Sequence, residues 1–110
     1  MSMSKEMNIA EVIARSRKIR EQYHQLEVEH HGSEWTIEED ALAFLTDAAL
    51  VGRLTMSIRG RWPKENTVPE LQHKLGETIW WVIVLADRMG LDIDAALNNF
   101  LVKTETLLEK

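Results

Sequence analysis

The sequence predicts an all-α protein, a four-helix bundle, on three observations. Apolar residues recur at three- and four-residue spacing through four separate segments, which is the period of a helix with one buried stripe. Gly32, Gly60 and Gly90 follow the ends of three of those segments, where a left-handed residue closes a helix. Both prolines, Pro63 and Pro69, fall in one short stretch, so long helices run uninterrupted on either side. No segment alternates apolar and polar residues between turn formers, as a half-buried strand would.

The first helix is expected from about Ser4 to His30, with Ile9, Val12, Ile13, Ile19, Tyr23 and Leu26 on its apolar stripe. The second begins after Thr36 and runs to about Arg59. Thr36 and Glu39 have the spacing of a capping box, in which each side chain satisfies a free backbone N–H at the helix start. The apolar positions of this helix, among them Leu42, Phe44, Leu45 and Val51, cover more than one face. The segment GRWPKENTVP is the connecting loop, and the third helix starts near Pro69, a residue suited to a first helical turn. Leu71, Leu75, Ile79, Val82, Ala86 and Met89 form its stripe. Asp92 can cap the fourth helix, in which Ile93, Leu97, Phe100, Leu101, Leu107 and Leu108 are periodic. Four helices with short loops read as one bundle domain covering residues 1–110.

Composition bounds the function. A chain of 110 residues with 45% hydrophobic content can bury a core. A net charge of −5 argues against non-specific nucleic-acid binding, because phosphate backbones need a basic surface. With no cysteine there is no disulfide framework, thiolate metal site or cysteine nucleophile. The N-terminus lacks the apolar core of a signal peptide, and the longest apolar run, Ile79 to Ala86, is short of the ~20 residues that span a bilayer. A cytoplasmic chain with no membrane partner is expected.

Assembly is expected from the third helix. It is apolar nearly all round from Ile79 to Ala86, and a helix in a four-helix monomer needs only one buried stripe. Trp80 and Trp81 point about 100° apart on a helix, so they are expected to meet different neighbours, one of them a second copy of the chain. A tryptophan lying flat on the surface is the plainer alternative.

The polar residues of the second and third helices carry the candidate chemistry. Asp40 and Asp47 are two turns apart on one face, and Glu70, His73, Lys74 and Glu77 share another. Facing helices with inward carboxylates are how bundles build Mg²⁺ sites; a solvated acidic face has the same spacing. Arg15, Arg17, Lys18 and Arg20 form a basic run, read as a solvated face offset by Glu11 and Glu21 at four-residue spacing. Arg59, Arg61 and Lys64 cluster in the loop; they either contact phosphates in a pocket or only solubilise it. None of the four histidines pairs with another at helical metal-ligand spacing.

The stretch ELQHKLGETIWWVIVLADRMGLDIDAAL, from Glu70 to Leu97, is similar to the second half of the MazG-like family, and WTIEEDALAFLTDAALVGRLTM resembles that family's first catalytic helix. The resemblance implies an all-α dimeric fold and Mg²⁺-dependent hydrolysis of a nucleoside triphosphate to monophosphate and pyrophosphate. It implies a nucleotide ligand, with four acidic ligands in Glu-x-x-Glu and Glu-x-x-Asp pattern. Those positions fall on Asp47, Leu50, Lys74 and Glu77, so two acids are missing and one is replaced by a cation. The lysine and asparagine that members often carry on the last helix fall on Phe100 and Thr104. Asp47, Glu77 and Lys74 are therefore the expected catalytic residues, and Asp47, Glu77, Glu70 and Asp40 the expected Mg²⁺ ligands. The function expected is pyrophosphohydrolysis, weak or lost. The alternative is a non-catalytic relative that binds a nucleotide or a protein in the same groove.

Overall fold

A computed structural model describes residues 7–109. They form four helices, α1 (Ile9–His31), α2 (Ile37–Ile58), α3 (Thr67–Arg88) and α4 (Ile93–Leu108), with no strand among the described residues. The caps are those the sequence predicts. Thr36 Oγ1 accepts from the Glu39 N–H at 3.1 Å while Glu39 Oε1 accepts from the Thr36 N–H at 2.8 Å, which completes the capping box. Asp92 caps α4 by accepting from the Ala95 N–H. Gly32 closes α1 at φ +83°, a conformation that only glycine adopts without strain. Two starts differ from expectation. Helix α1 begins at Ile9 because Asn8 Oδ1 accepts from the Glu11 N–H; residues 4–6 of the expected first turn lie outside the described residues. Helix α3 begins at Thr67, which places Pro69 inside its first turn.

Helices α2 and α3 form an antiparallel hairpin. Asp40 meets Arg88 at one end, Asp47 meets Lys74 and Trp81 in the middle, and Ser57 meets Thr67 beside the loop. Helix α1 lies against α3, with Arg17 on Asp87, Arg20 beside Trp81, and Tyr23 edge-on to Trp80. The buried apolar core is small: Leu54, Trp81, Ile83, Val84 and Ala86. Helix α4 leans on the end of α3 and buries none of its own side chains. By length and composition alone α2 could cross a bilayer. One face of it packs on α3, with Asp40 and Asp47 buried and hydrogen-bonded there.

Trp80 and Trp81 meet different neighbours, and for Trp81 these lie within the chain. Trp80 stands edge-on to Tyr23 of α1, with ring centroids 6.0 Å apart, whereas Trp81 donates its indole N–H to Asp47 of α2 at 2.8 Å and lies 5.7 Å from the Arg20 guanidinium. Trp81 is thus an internal residue at 7% exposure. One expectation is corrected here: the basic run of α1 is not simply a solvated face. Arg20 is buried at 4% exposure, and Arg17, though exposed, grips Asp87 through two Nε contacts of 3.1 Å.

Arg20 is buried because Asp40 is. The Asp40 carboxylate is fully enclosed. Arg20 donates to both of its oxygens, at 2.8 and 3.2 Å, and Arg88 Nη1 donates to Oδ2 at 2.8 Å. Arg20 also donates to Glu27 at 2.8 Å, and Glu27 accepts the Trp35 N–H at 2.8 Å. Arg88 closes the circuit by donating to the Trp35 carbonyl at 3.0 Å. Burial would push the Glu27 carboxyl upward, but the Arg20 guanidinium and the Trp35 N–H outweigh it and hold it below the ordinary glutamate range.

Asp40→Ala should therefore cost about 3–5 kcal/mol in urea unfolding, since it leaves two guanidinium groups facing a void. The lowered Glu27 also sets a pH dependence. Its stabilisation is complete above the ordinary glutamate value of 4.5 and is lost as pH falls through its lower folded value. Acid unfolding should show a flatter slope below pH 4.5 in Glu27→Gln than in the parent.

Candidate functional site

Two cavities flank α3, and the residues singled out in the sequence lie between them. The larger, about 730 Å³, opens between α1 and α3. Tyr23, Trp35, Trp80 and Trp81 give it aromatic walls, and Arg20, Glu27, His73 and Glu77 supply polar groups. Its size falls within the ~300–1,000 Å³ of small-molecule sites. The Trp80 indole N–H has no acceptor among the described residues. Gly76 contributes a bare stretch of wall, and a Cβ added there would meet nothing within 4 Å. The smaller cavity, about 430 Å³, sits between α2 and the start of α3 and is lined by Leu50, Arg53, Lys64, Glu70 and Lys74 among others. His73 lines both cavities.

The expected catalytic trio is brought together. Lys74 Nζ donates to Asp47 Oδ1 at 3.0 Å and to Glu77 Oε1 at 2.9 Å. The two carboxylate oxygens thus stand no more than about 6 Å apart across the ammonium. Helical geometry explains the arrangement. Lys74 and Glu77 are three residues apart on α3, so their side chains meet on one face; antiparallel pairing sets Asp47 opposite them. The second oxygen of Asp47 accepts the Trp81 indole N–H at 2.8 Å. Glu77 first and Asp47 second raise the Lys74 pKa above its ordinary value of 10.5, so the ammonium stays charged across neutral pH.

The other expected ligands do not join them. Asp40 lies two turns back along α2, enclosed by Arg20 and Arg88. Glu70 turns toward the loop and pairs with Lys64. Leu50 is part of the smaller cavity's wall and contributes no oxygen. On the last helix, Phe100 is exposed at 62%. Among the described residues no three histidine or acidic groups converge as a metal site. Mg²⁺ requires hard oxygen donors in near-octahedral array. Here the two available carboxylates share a lysine, and one of them also holds an indole. The residues present do not fit the ion.

Sequence reasoning missed the aromatic cavity. Tyr23, Trp35 and Trp80 come from α1, the α1–α2 loop and α3, and no local spacing joins them. The concentration of four tryptophans in a chain of 110 residues was the available signal. Comparison of the chain with known protein families, characterised proteins and solved structures finds no match.

The raised Lys74 pKa gives a testable consequence. A group whose folded pKa is raised contributes stability that is complete below its ordinary value and lost as pH rises past the folded one. Lys74→Met should be less stable than the parent in urea at pH 9. That gap should close progressively as the pH is taken above 10.5.

Proposed function

We propose that this chain is a MazG-like nucleotide-binding protein in which Mg²⁺-dependent pyrophosphohydrolysis is weak or lost. One observation carries the reading: the Lys74 ammonium stands between Asp47 and Glu77, at the place where the resemblance implies a metal ion. A tethered cation offsets one of the two carboxylate charges without recruiting an ion. It cannot do the rest of a metal's work, because an ammonium has no open coordination position and activates no bound water. The aromatic cavity supports a planar ligand, since indole and phenol rings give stacking surfaces.

The enzymatic reading keeps one supporting observation. Asp47 and Glu77 still approach each other across the α2–α3 groove, so a lysine that swung aside would leave a two-carboxylate pair.

A panel of nucleoside triphosphates separates the two readings. Tryptophan fluorescence should report binding without added metal, while pyrophosphate release with Mg²⁺ or Mn²⁺ stays at background. Turnover that Asp47→Ala abolishes would restore the enzyme. Gly76→Leu should abolish binding while raising the melting temperature. The added side chain fills the cavity wall, and replacing a mid-helix glycine adds up to ~1 kcal/mol. Restoring acids should recreate the metal site: in Leu50→Glu with Lys74→Glu, Mg²⁺ should raise the melting temperature by linkage, an effect absent from the parent.

The same reading includes pairing with a second copy. Leu42 at 62% and Leu45 at 59% exposure lie on the face of α2 opposite Asp40 and Asp47. Leu75 and Ile79 are exposed on α3, and Leu97, Phe100, Leu101 and Leu107 on α4. Together these residues leave apolar surface open on three helices, and exposed apolar surface of this kind usually marks an interface. Both α2 and α3 then become inner helices of a larger bundle, which explains an α2 whose apolar residues cover more than one face. Light scattering should give at least twice the 12.7 kDa chain mass. Leu45→Glu with Ile79→Glu should yield a monomer, whereas Trp81→Glu, aimed at an internal residue, should unfold the chain.

A further inference from the structure

The α2–α3 loop is bent around one arginine. Trp62 and Asn66 both hold left-handed backbone, at φ +56° and +60°, a conformation that side-chain-bearing residues adopt only when their surroundings force it. Arg53 supplies the force for Trp62. Its Nη1 donates to the Trp62 carbonyl at 2.8 Å, and its guanidinium carbon stands 3.7 Å from the centroid of the Trp62 ring. Ser57 fixes the rest by accepting the Lys64 N–H at 2.9 Å and bonding Thr67 Oγ1 at 2.7 Å.

Arg53 differs from the other arginines that reach into the fold. Arg17, Arg20 and Arg88 each hold a carboxylate. Arg53 is half-buried, lines the 430 Å³ cavity, and has no acid within ion-pair distance among the described residues. Stacking on an indole stabilises its charge but leaves the remaining guanidinium N–H groups free to donate. Lys64 and Lys74 stand in the same wall, each already shared with acids, Lys64 with Glu70 and Lys74 with Asp47 and Glu77. The first turn of α3 adds Asn66 and Pro69 to the wall, and no side chain caps that helix start. Glu70, in that first turn and in the same wall, answers part of the helix-start charge and pairs with Lys64, so Arg53 is the cation of this wall without an acid among the described residues.

We propose that this cavity is a metal-independent site for a phosphoryl chain, with Arg53 as its principal donor and Lys64 as its second. A planar guanidinium matches two phosphate oxygens at once, and a partly enclosed cavity strengthens the contact. His73 stands on the rim shared with the aromatic cavity, so a single ligand can place its ring between α1 and α3 and its phosphates here. That continuity rests on the nucleotide-binding reading; the anion site itself does not.

The test is calorimetric titration of the full chain with inorganic tripolyphosphate in EDTA. The parent should bind, and the affinity should fall with added salt. Arg53→Gln should weaken binding at least tenfold, with Arg53→Lys intermediate because it keeps charge but loses the fork. Glu70→Gln, which frees Lys64, should tighten it severalfold. Circular dichroism melts show whether each variant is folded at the titration temperature. No binding by the parent in EDTA, or equal affinity in Arg53→Gln and parent, overturns the proposal. Deoxynucleosides titrated against tryptophan fluorescence separate the two ideas. Tripolyphosphate binding without nucleoside binding leaves the anion site standing and removes the nucleotide reading. Nucleoside binding without tripolyphosphate binding does the reverse.

Discussion

The rest of the structure depends on one enclosed carboxylate. Asp40 has no exposed surface, and an ionised group in that position is tolerable only when its oxygens are answered by charge and hydrogen bonds. Arg20 from α1 and Arg88 from the end of α3 provide them. The same two arginines hold Glu27 and the Trp35 carbonyl. Three helices and the α1–α2 loop are thereby fixed to one point. A greasy core of five buried residues would allow sliding, because apolar contact is non-directional; the ion network permits one register. The aromatic cavity lies beside this point, with Arg20, Glu27 and Trp35 in its wall.

A second group of charges sits farther along the same hairpin and follows different logic. Asp47, Lys74 and Glu77 form a partly exposed chain of one cation between two anions. Solvent reaches it, so its contribution to folding is smaller than that of the enclosed network. Its consequence is chemical. Both acids spend an oxygen on the ammonium, and Asp47 gives its other oxygen to Trp81. The groove thereby carries a built-in cation that offsets part of its negative charge, and a divalent ion would have to displace a lysine held at both ends. Arg53 presents the contrary case: a cation with a carbonyl and an indole for partners but no acid, and hence attraction left over for an anion.

The small core and the bare faces of α2 and α4 belong together. Helix α4 ends up with no buried side chain although its apolar residues recur at helical spacing. Periodicity of that kind reports a surface meant to be covered. Among the described residues α4 leans chiefly on α3, through few contacts, and most of its length stays uncovered. The proposed pairing with a second copy supplies the missing surface for α4 and for the outward face of α2 alike, and removes the conflict between a mostly apolar α2 and its exposure.

What the sequence determined by itself is local. The Thr36–Glu39 box, the Asp92 cap and the glycines at 32, 60 and 90 act within a few residues, so helix number, order and most boundaries are legible from spacing alone, although the Asn8 cap starts α1 later than the sequence predicts. Lys74 beside Glu77 is likewise a matter of three residues on one helix; placing Asp47 against them needed the resemblance to align α2 with α3. The tertiary structure alone decided which face met which neighbour. Arg20 reads as one member of a surface run until Asp40, twenty residues on, buries it. Trp80 and Trp81 read as pointing apart, but only the fold shows that Tyr23 of α1 is the neighbour of one and Asp47 of α2 that of the other. Arg53, inside α2, carries no signal of its own in the sequence until Trp62 folds back onto it. Helical periodicity fixes the direction of each side chain about its own axis. Where that axis lies relative to another is set by long-range ion pairs and packing, which leave no mark at the spacing of three or four residues.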